Sequence, residues 1–135
     1  LAIEPDQLHT REEAARRYGV SRNHLMKVTQ TLAQSGFIER TRGRKGGLRL
    51  ARPATAISLG AVVRAPEDGF DLVECFDPDR NRCVLAPACG LRGPLDQALQ
   101  AFLASLDRHS LADLVANPGR MRRMRRILED ETSSA

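Results

Sequence analysis

The first clear periodic pattern begins at Thr10-Arg11-Glu12-Glu13, a hydroxyl followed three residues later by a carboxylate, the signature of a capped helix start. The helix it opens is predicted to run to about Tyr18, where Gly19 permits a sharp reversal. Ser21 then caps a second helix that continues to Ser35 and stops at Gly36. Two helices joined by a short glycine-containing turn form a helix-turn-helix. Leu25, Val28, Thr29 and Leu32 share one face of the second helix, while Asn23, Lys27, Gln30 and Gln34 fall within roughly 60° of one another on the opposite face. His24 and Thr31 flank that polar face.

The period then changes from helical to alternating. Phe37-Ile38-Glu39-Arg40-Thr41 and Leu48-Arg49-Leu50 enclose Arg42-Gly43-Arg44-Lys45-Gly46-Gly47, which predicts a β-hairpin with a basic, glycine-rich tip. Pro53 ends it, and Ser58 caps a short helix from Leu59 to about Arg64 before Pro66. Residues 66–90 read as a loop rich in Asp, Pro, Gly and Cys. Leu91, Leu95, Leu99, Phe102 and Leu106 then form a seam suited to pairing with a second copy, or to packing on the chain's own core. Ser110 caps a last turn through Val115, and Asn117-Pro118-Gly119 marks a boundary.

The expected architecture is mainly α, a winged helix-turn-helix with a small hairpin wing and a long C-terminal dimerisation helix. Residues 1–65 form the winged-helix domain, with the helix-turn-helix at about 12–35 and the wing at about 37–51. Residues 66–90 form the cysteine loop, 91–116 the dimerisation region and 117–135 a flexible tail. The tail's five arginines around Met121, Met124, Ile127 and Leu128 favour disorder over a transient amphipathic helix. The chain opens on Leu1-Ala2-Ile3 before Glu4-Pro5, like the last turn of an apolar helix, which suggests a truncation that removed most of a first helix.

Charge sharpens the picture. Residues 1–65 carry 12 Lys/Arg against 5 Asp/Glu, whereas residues 66–119 carry 4 against 9. A basic front and an acidic back direct a polyanion to the first segment alone. The polar face of the second helix is what reading a DNA major groove requires, since Asn or Gln makes two bonds to adenine and Lys reaches guanine or phosphate. The expected DNA contacts are Ser21, Asn23, His24, Lys27 and Gln30, with Arg42, Arg44 and Lys45 of the wing tip on phosphates. The 135 residues are 41% hydrophobic, enough for a core. No stretch approaches the ~18 consecutive apolar residues of a membrane helix. A cytoplasmic protein without a membrane partner is expected.

Three cysteines, an odd number confined to Cys75, Cys83 and Cys89, do not make a disulfide scaffold. Seven and five residues separate them, without the short paired spacings usual for structural zinc. Thiolates at longer spacings suit an iron–sulfur cluster, and the helix start near Leu91 favours an anionic group. Three thiolates leave one iron position to another ligand, which a small gas molecule can displace. A redox-switch thiol set, or three inert thiols, are the other readings. An electron carrier is disfavoured by the missing fourth cysteine and the basic front. With His only at 9, 24 and 109, no catalytic triad order is visible, so no enzyme is expected.

The run Ser21-Arg22-Asn23-His24-Leu25-Met26-Lys27-Val28, the Arg42–Leu48 wing, and Leu72-Val73-Glu74-Cys75-Phe76 with Cys83-Val84-Leu85-Ala86-Pro87-Ala88-Cys89 resemble the iron–sulfur winged-helix regulators that include IscR and RirA. Within them the match is to NsrR-type nitric-oxide-sensing repressors and covers about residues 1–116. The resemblance implies a homodimer on an operator, with Cys75, Cys83 and Cys89 holding a 2Fe-2S or 4Fe-4S cluster beside the dimerisation helix. It also implies repression of nitrosative-stress genes, relieved when nitric oxide attacks the cluster. IscR-like members place a His three residues after the last cysteine; Arg92 stands there, which favours the nitric-oxide branch. In that branch a carboxylate near the partner's N-terminus completes the ligand set, and no carboxylate of this chain is assigned that role. A regulator of iron or redox homeostasis is the alternative.

Overall fold

The computed structural model describes residues 1–41, 43, 46–65 and 72–133, with side chains described as far as residue 129. Helices α1 (Arg11–Arg17) and α2 (Arg22–Gln34) precede strands β1 (Ile38–Thr41) and β2 (Gly47–Leu50). Helices α3 (Leu59–Arg64), α4 (Arg92–Asp107), α5 (Leu111–Val115) and α6 (Pro118–Ser133) follow. The helix limits follow from their caps. Thr10 Oγ1 accepts from the Glu13 amide and Ser21 Oγ from the His24 amide, each at 3.1 Å. Gly19 (φ 61°) and Gly36 (φ 70°) take the left-handed conformation just past the helix ends, where a side chain would be strained. Glu13 places its carboxylate 2.7 Å from Arg17, one turn on. A full reciprocal capping box forms instead at Ser110 and Asp113.

The two strands pair antiparallel, with Ile38 opposite Leu50 and Arg40 opposite Leu48. His9 adds a bridge on the far side of β2: the Leu48 amide donates to the His9 carbonyl at 2.8 Å. Phe37, Ile38, Leu48 and Ile57 form the buried centre, and Leu32, Leu50, Val62 and Leu111 pack around it. Arg52 closes this core from outside. Its guanidinium lies 4.8 Å from the Phe37 ring centroid. It also donates to the carbonyls of Gly36 (3.0 Å) and Ser35 (3.1 Å), meeting the partial negative charge at the end of α2.

Two expectations change in the structure. The stretch read as a flexible tail is helix α6, started by Asn117, whose Oδ1 accepts from the Arg120 amide at 2.9 Å. Met121, Met124 and Leu128 are half-buried on one side of α6, which packs on α1 and α5, and the Arg125 guanidinium donates to the Ile3 carbonyl at 2.9 Å. Most helical stability comes from packing of an apolar face, which charge content alone does not reveal. The seam at 91–106 also divides: Leu99 is buried, with Leu103 outside the seam buried beside it, and α4 packs on α3, while Leu91 and Phe102 are 60% and 49% exposed.

Candidate nucleic-acid interface and cysteine loop

The turn at Gly19 sets α2 across α1, and Leu25, Thr29 and Leu32 turn inward. Thr29 is buried, its hydroxyl donating to the Met26 carbonyl at 3.1 Å, so its polarity is spent within the helix. The opposite side is open. Asn23, His24, Lys27 and Gln30 are all exposed on the side predicted from the sequence, and Gln34 continues the row. Ser21 sits at the head of this row with its hydroxyl engaged as the helix cap, so its part is to start α2. Arg22 is an addition: it donates to Glu12 at 2.6 Å and ties the two helices of the motif together. Glu12 is held below the usual carboxylate range by its own backbone amide first and by Arg22 second.

The wing presents its charge differently. Arg49 is paired with Glu39 across the hairpin, while Arg40 and Thr41 are exposed. Arg42, Arg44 and Lys45 lie outside the described residues. Gly43 at the tip has φ 114°, open only to glycine. Gly47 is explained by the packing of the chain itself. A Cβ there would lie 2.9 Å from Leu8 Cβ and 3.1 Å from the His9 carbonyl, because segment 8–9 crosses β2 closely.

The cysteines stand on the loop that leads into α4. Cys75 lies in the turn Glu74–Phe76 and Cys89 directly after the turn Ala86–Ala88, both half-buried, while Cys83 is exposed. The Cys83 amide donates to Asn81 Oδ1 at 3.0 Å. All three thiols are free. Asp77 is held below its usual range by Arg80 first and by the Asp79 amide second. Cys89, Phe76, Pro87, Arg92, Asp96 and Leu99 line an open cleft of about 710 Å³. Among the described residues the cysteines are not drawn together into a metal-holding group. The donor set nevertheless fits an iron–sulfur cluster in its chemistry: three free thiols on one loop, of which Cys89 lines the cleft just before a 16-residue helix.

A helix-turn-helix with a hairpin wing and an open amide-and-cation face defines the class, a DNA-binding regulator. The family described as "Rrf2: Iron-dependent Transcriptional regulator" matches residues 1–117. The chain belongs to the Rrf2 family of transcriptional regulators, and it is not an enzyme. It is 49% identical over 118 residues to the HTH-type transcriptional regulator NsrR of Bacillus subtilis (strain 168), covering 87% of this chain and 81% of that protein. It is 46% identical over 118 residues to the regulator of the same name from Halalkalibacterium halodurans, with the same coverage. Among solved structures, T. potens IscR shares the fold with a TM-score of 0.63 at 22% identity, over 85% of this chain and 74% of that one. Among the described residues no helix is long and apolar enough to cross a membrane.

Proposed function

We propose that this regulator is a cytoplasmic homodimeric repressor that holds operator DNA through α2 and the wing, and responds to nitric oxide through an iron–sulfur cluster on Cys75, Cys83 and Cys89. One juxtaposition carries the reading: an open amide-and-cation face is joined, through a loop with three free thiols, to a helix with exposed Leu91 at its N-cap and exposed Phe102 along it. The likeness to two regulators named NsrR supports the nitric-oxide branch. When bound, the cluster supplies reactivity toward nitric oxide that no side chain of the loop has. Cys75, Cys83 and Cys89 would hold it as thiolates, the helix start after Cys89 would favour an anionic group, and Leu91 with Phe102 offers apolar surface to a second copy. A dimer places two copies of α2 in successive major grooves, with Asn23, Lys27 and Gln30 on base edges and Arg42, Arg44 and Lys45 on the phosphates.

The reading is tested by anaerobic purification followed by nitric oxide titration, with visible absorption and operator binding measured together. A brown protein whose absorption and DNA affinity decline in step is expected. A colourless protein that binds DNA equally with and without nitric oxide overturns the cluster, leaving a thiol-based or iron-homeostasis regulator. The spectrum also separates 2Fe-2S from 4Fe-4S.

The recognition face has its own test. Asn23→Ala or Gln30→Ala is expected to cost about 1–3 kcal/mol on the cognate duplex and little on scrambled DNA, because base-edge bonds discriminate. Equal weakening on both duplexes would remove these residues from base reading and place them on phosphates.

A further inference from the structure

Helices α3 and α4 meet at a joint that DNA contact and cluster binding leave unexplained. Arg64, on the last turn of α3, meets Asp107, at the end of α4, through two parallel bonds: Nη1 to Oδ1 at 2.6 Å and Nη2 to Oδ2 at 2.7 Å. Ser58 adds a hydroxyl donated to Asp107 Oδ1 at 3.4 Å. The backbone closes the other side, since the Leu59 amide donates to the His109 carbonyl at 3.0 Å and the Leu111 amide to the Ile57 carbonyl at 2.8 Å. Gly60 lies beneath. A Cβ there would fall 2.0 Å from Asp107 Oδ1 and 2.8 Å from Arg64 Nη1, so the pair as seated requires glycine at that position.

The arrangement suits orientation better than stability. The two side chains are 41% and 43% exposed, and an ion pair so wetted adds little to folding. A planar fork gripping both carboxylate oxygens constrains angle as well as distance. Chain connectivity gives that angle its meaning. α3 extends directly from the winged-helix core through Ile57, while α4 begins shortly after Cys89, with exposed Leu91 at its N-cap and exposed Phe102 along it. We propose that Ser58, Gly60, Arg64 and Asp107 form a clamp that fixes the angle between the reading head and α4, and so the half-site spacing a dimer accepts. This inference rests on the dimeric DNA reading proposed above. The four residues act as positioning residues and touch no base.

The experiment uses the full chain and a duplex it selects from a randomised pool. That duplex is remade with one or two base pairs inserted or removed at its centre, and also as a single half-site. The unaltered protein is expected to bind the selected spacing about tenfold or more tighter than the shifted ones, as rigid two-fold readers do. Asp107→Asn weakens the fork, and Gly60→Ala spreads it without removing a charge. Both are expected to bring that preference to about twofold, with half-site affinity and thermal unfolding close to unaltered. Two variants acting by different routes guard against one that fails to fold. Full spacing preference in both variants overturns the inference alone. Half-site affinity lost in step with thermal stability would make the clamp a structural support and overturns it too. Absence of any spacing preference in the unaltered protein would overturn the dimeric reading, and the clamp's role with it.

Discussion

Cys83→Ala is expected to yield a protein with iron and acid-labile sulfide near background after anaerobic reconstitution, while its winged helix still folds. Cys83 is exposed and free, so its removal takes away a donor without opening a cavity. Residues 10–52 are held by their own caps and by a core of Phe37, Ile38 and Leu48, none of which adjoins the cysteine loop in sequence. Thermal unfolding of the cluster-free variant and cluster-free parent should therefore agree to within about 0.5 kcal/mol, as for most surface changes. Cys75→Ala and Cys89→Ala should lose the cluster equally. Full iron and sulfide content in any of the three would remove that thiolate from the ligand set.

The largest effect on folding is expected at Ile57→Ala. Ile57 is 1% exposed and packs with Phe37, Ile38 and Leu48, and its carbonyl accepts from Leu111 at 2.8 Å. It is thus shared by the winged helix and by the elements that follow α4. Truncation removes transfer free energy and leaves a cavity, a loss of about 2–5 kcal/mol. For a chain of this size that corresponds to a fall in Tm of roughly 8–20 °C. Denaturant unfolding with an unchanged slope and a lowered midpoint would confirm it. A loss under about 1 kcal/mol would mean that the site collapses around the smaller side chain.

The parts legible in the sequence are those whose physics acts over three or four residues. Thr10, Ser21, Ser58 and Ser110 each accept from an amide three positions on, so helix starts are written locally. Gly19 and Gly36 mark the ends because only glycine occupies their φ cheaply. Helical period placed Asn23, Lys27 and Gln30 on one open face, and alternation placed the hairpin, because side-chain direction follows from backbone repeat. The proposal of the cysteines as a donor set rests on the same kind of reasoning, since thiol chemistry and spacing need no tertiary knowledge.

By itself, then, the sequence determined the winged helix and the exposed polar face of α2, both of them consequences of short-range geometry and residue chemistry. Tertiary structure alone decided the rest. Helix α6 forms over a stretch whose five arginines argue for disorder, and it packs on α1 and α5 with Met121, Met124 and Leu128 half-buried. The Arg64–Asp107 fork joins residues 43 apart, and Arg52 reaches back 16 to the end of α2, distances at which no local pattern survives. Gly47 is only part of a glycine-rich tip in one dimension and proves to be a crossing point for Leu8 and His9 in three. The seam at 91–106 is divided, because α4 packs on α3 within its own chain and buries Leu99, while Leu91 and Phe102 stay at the surface.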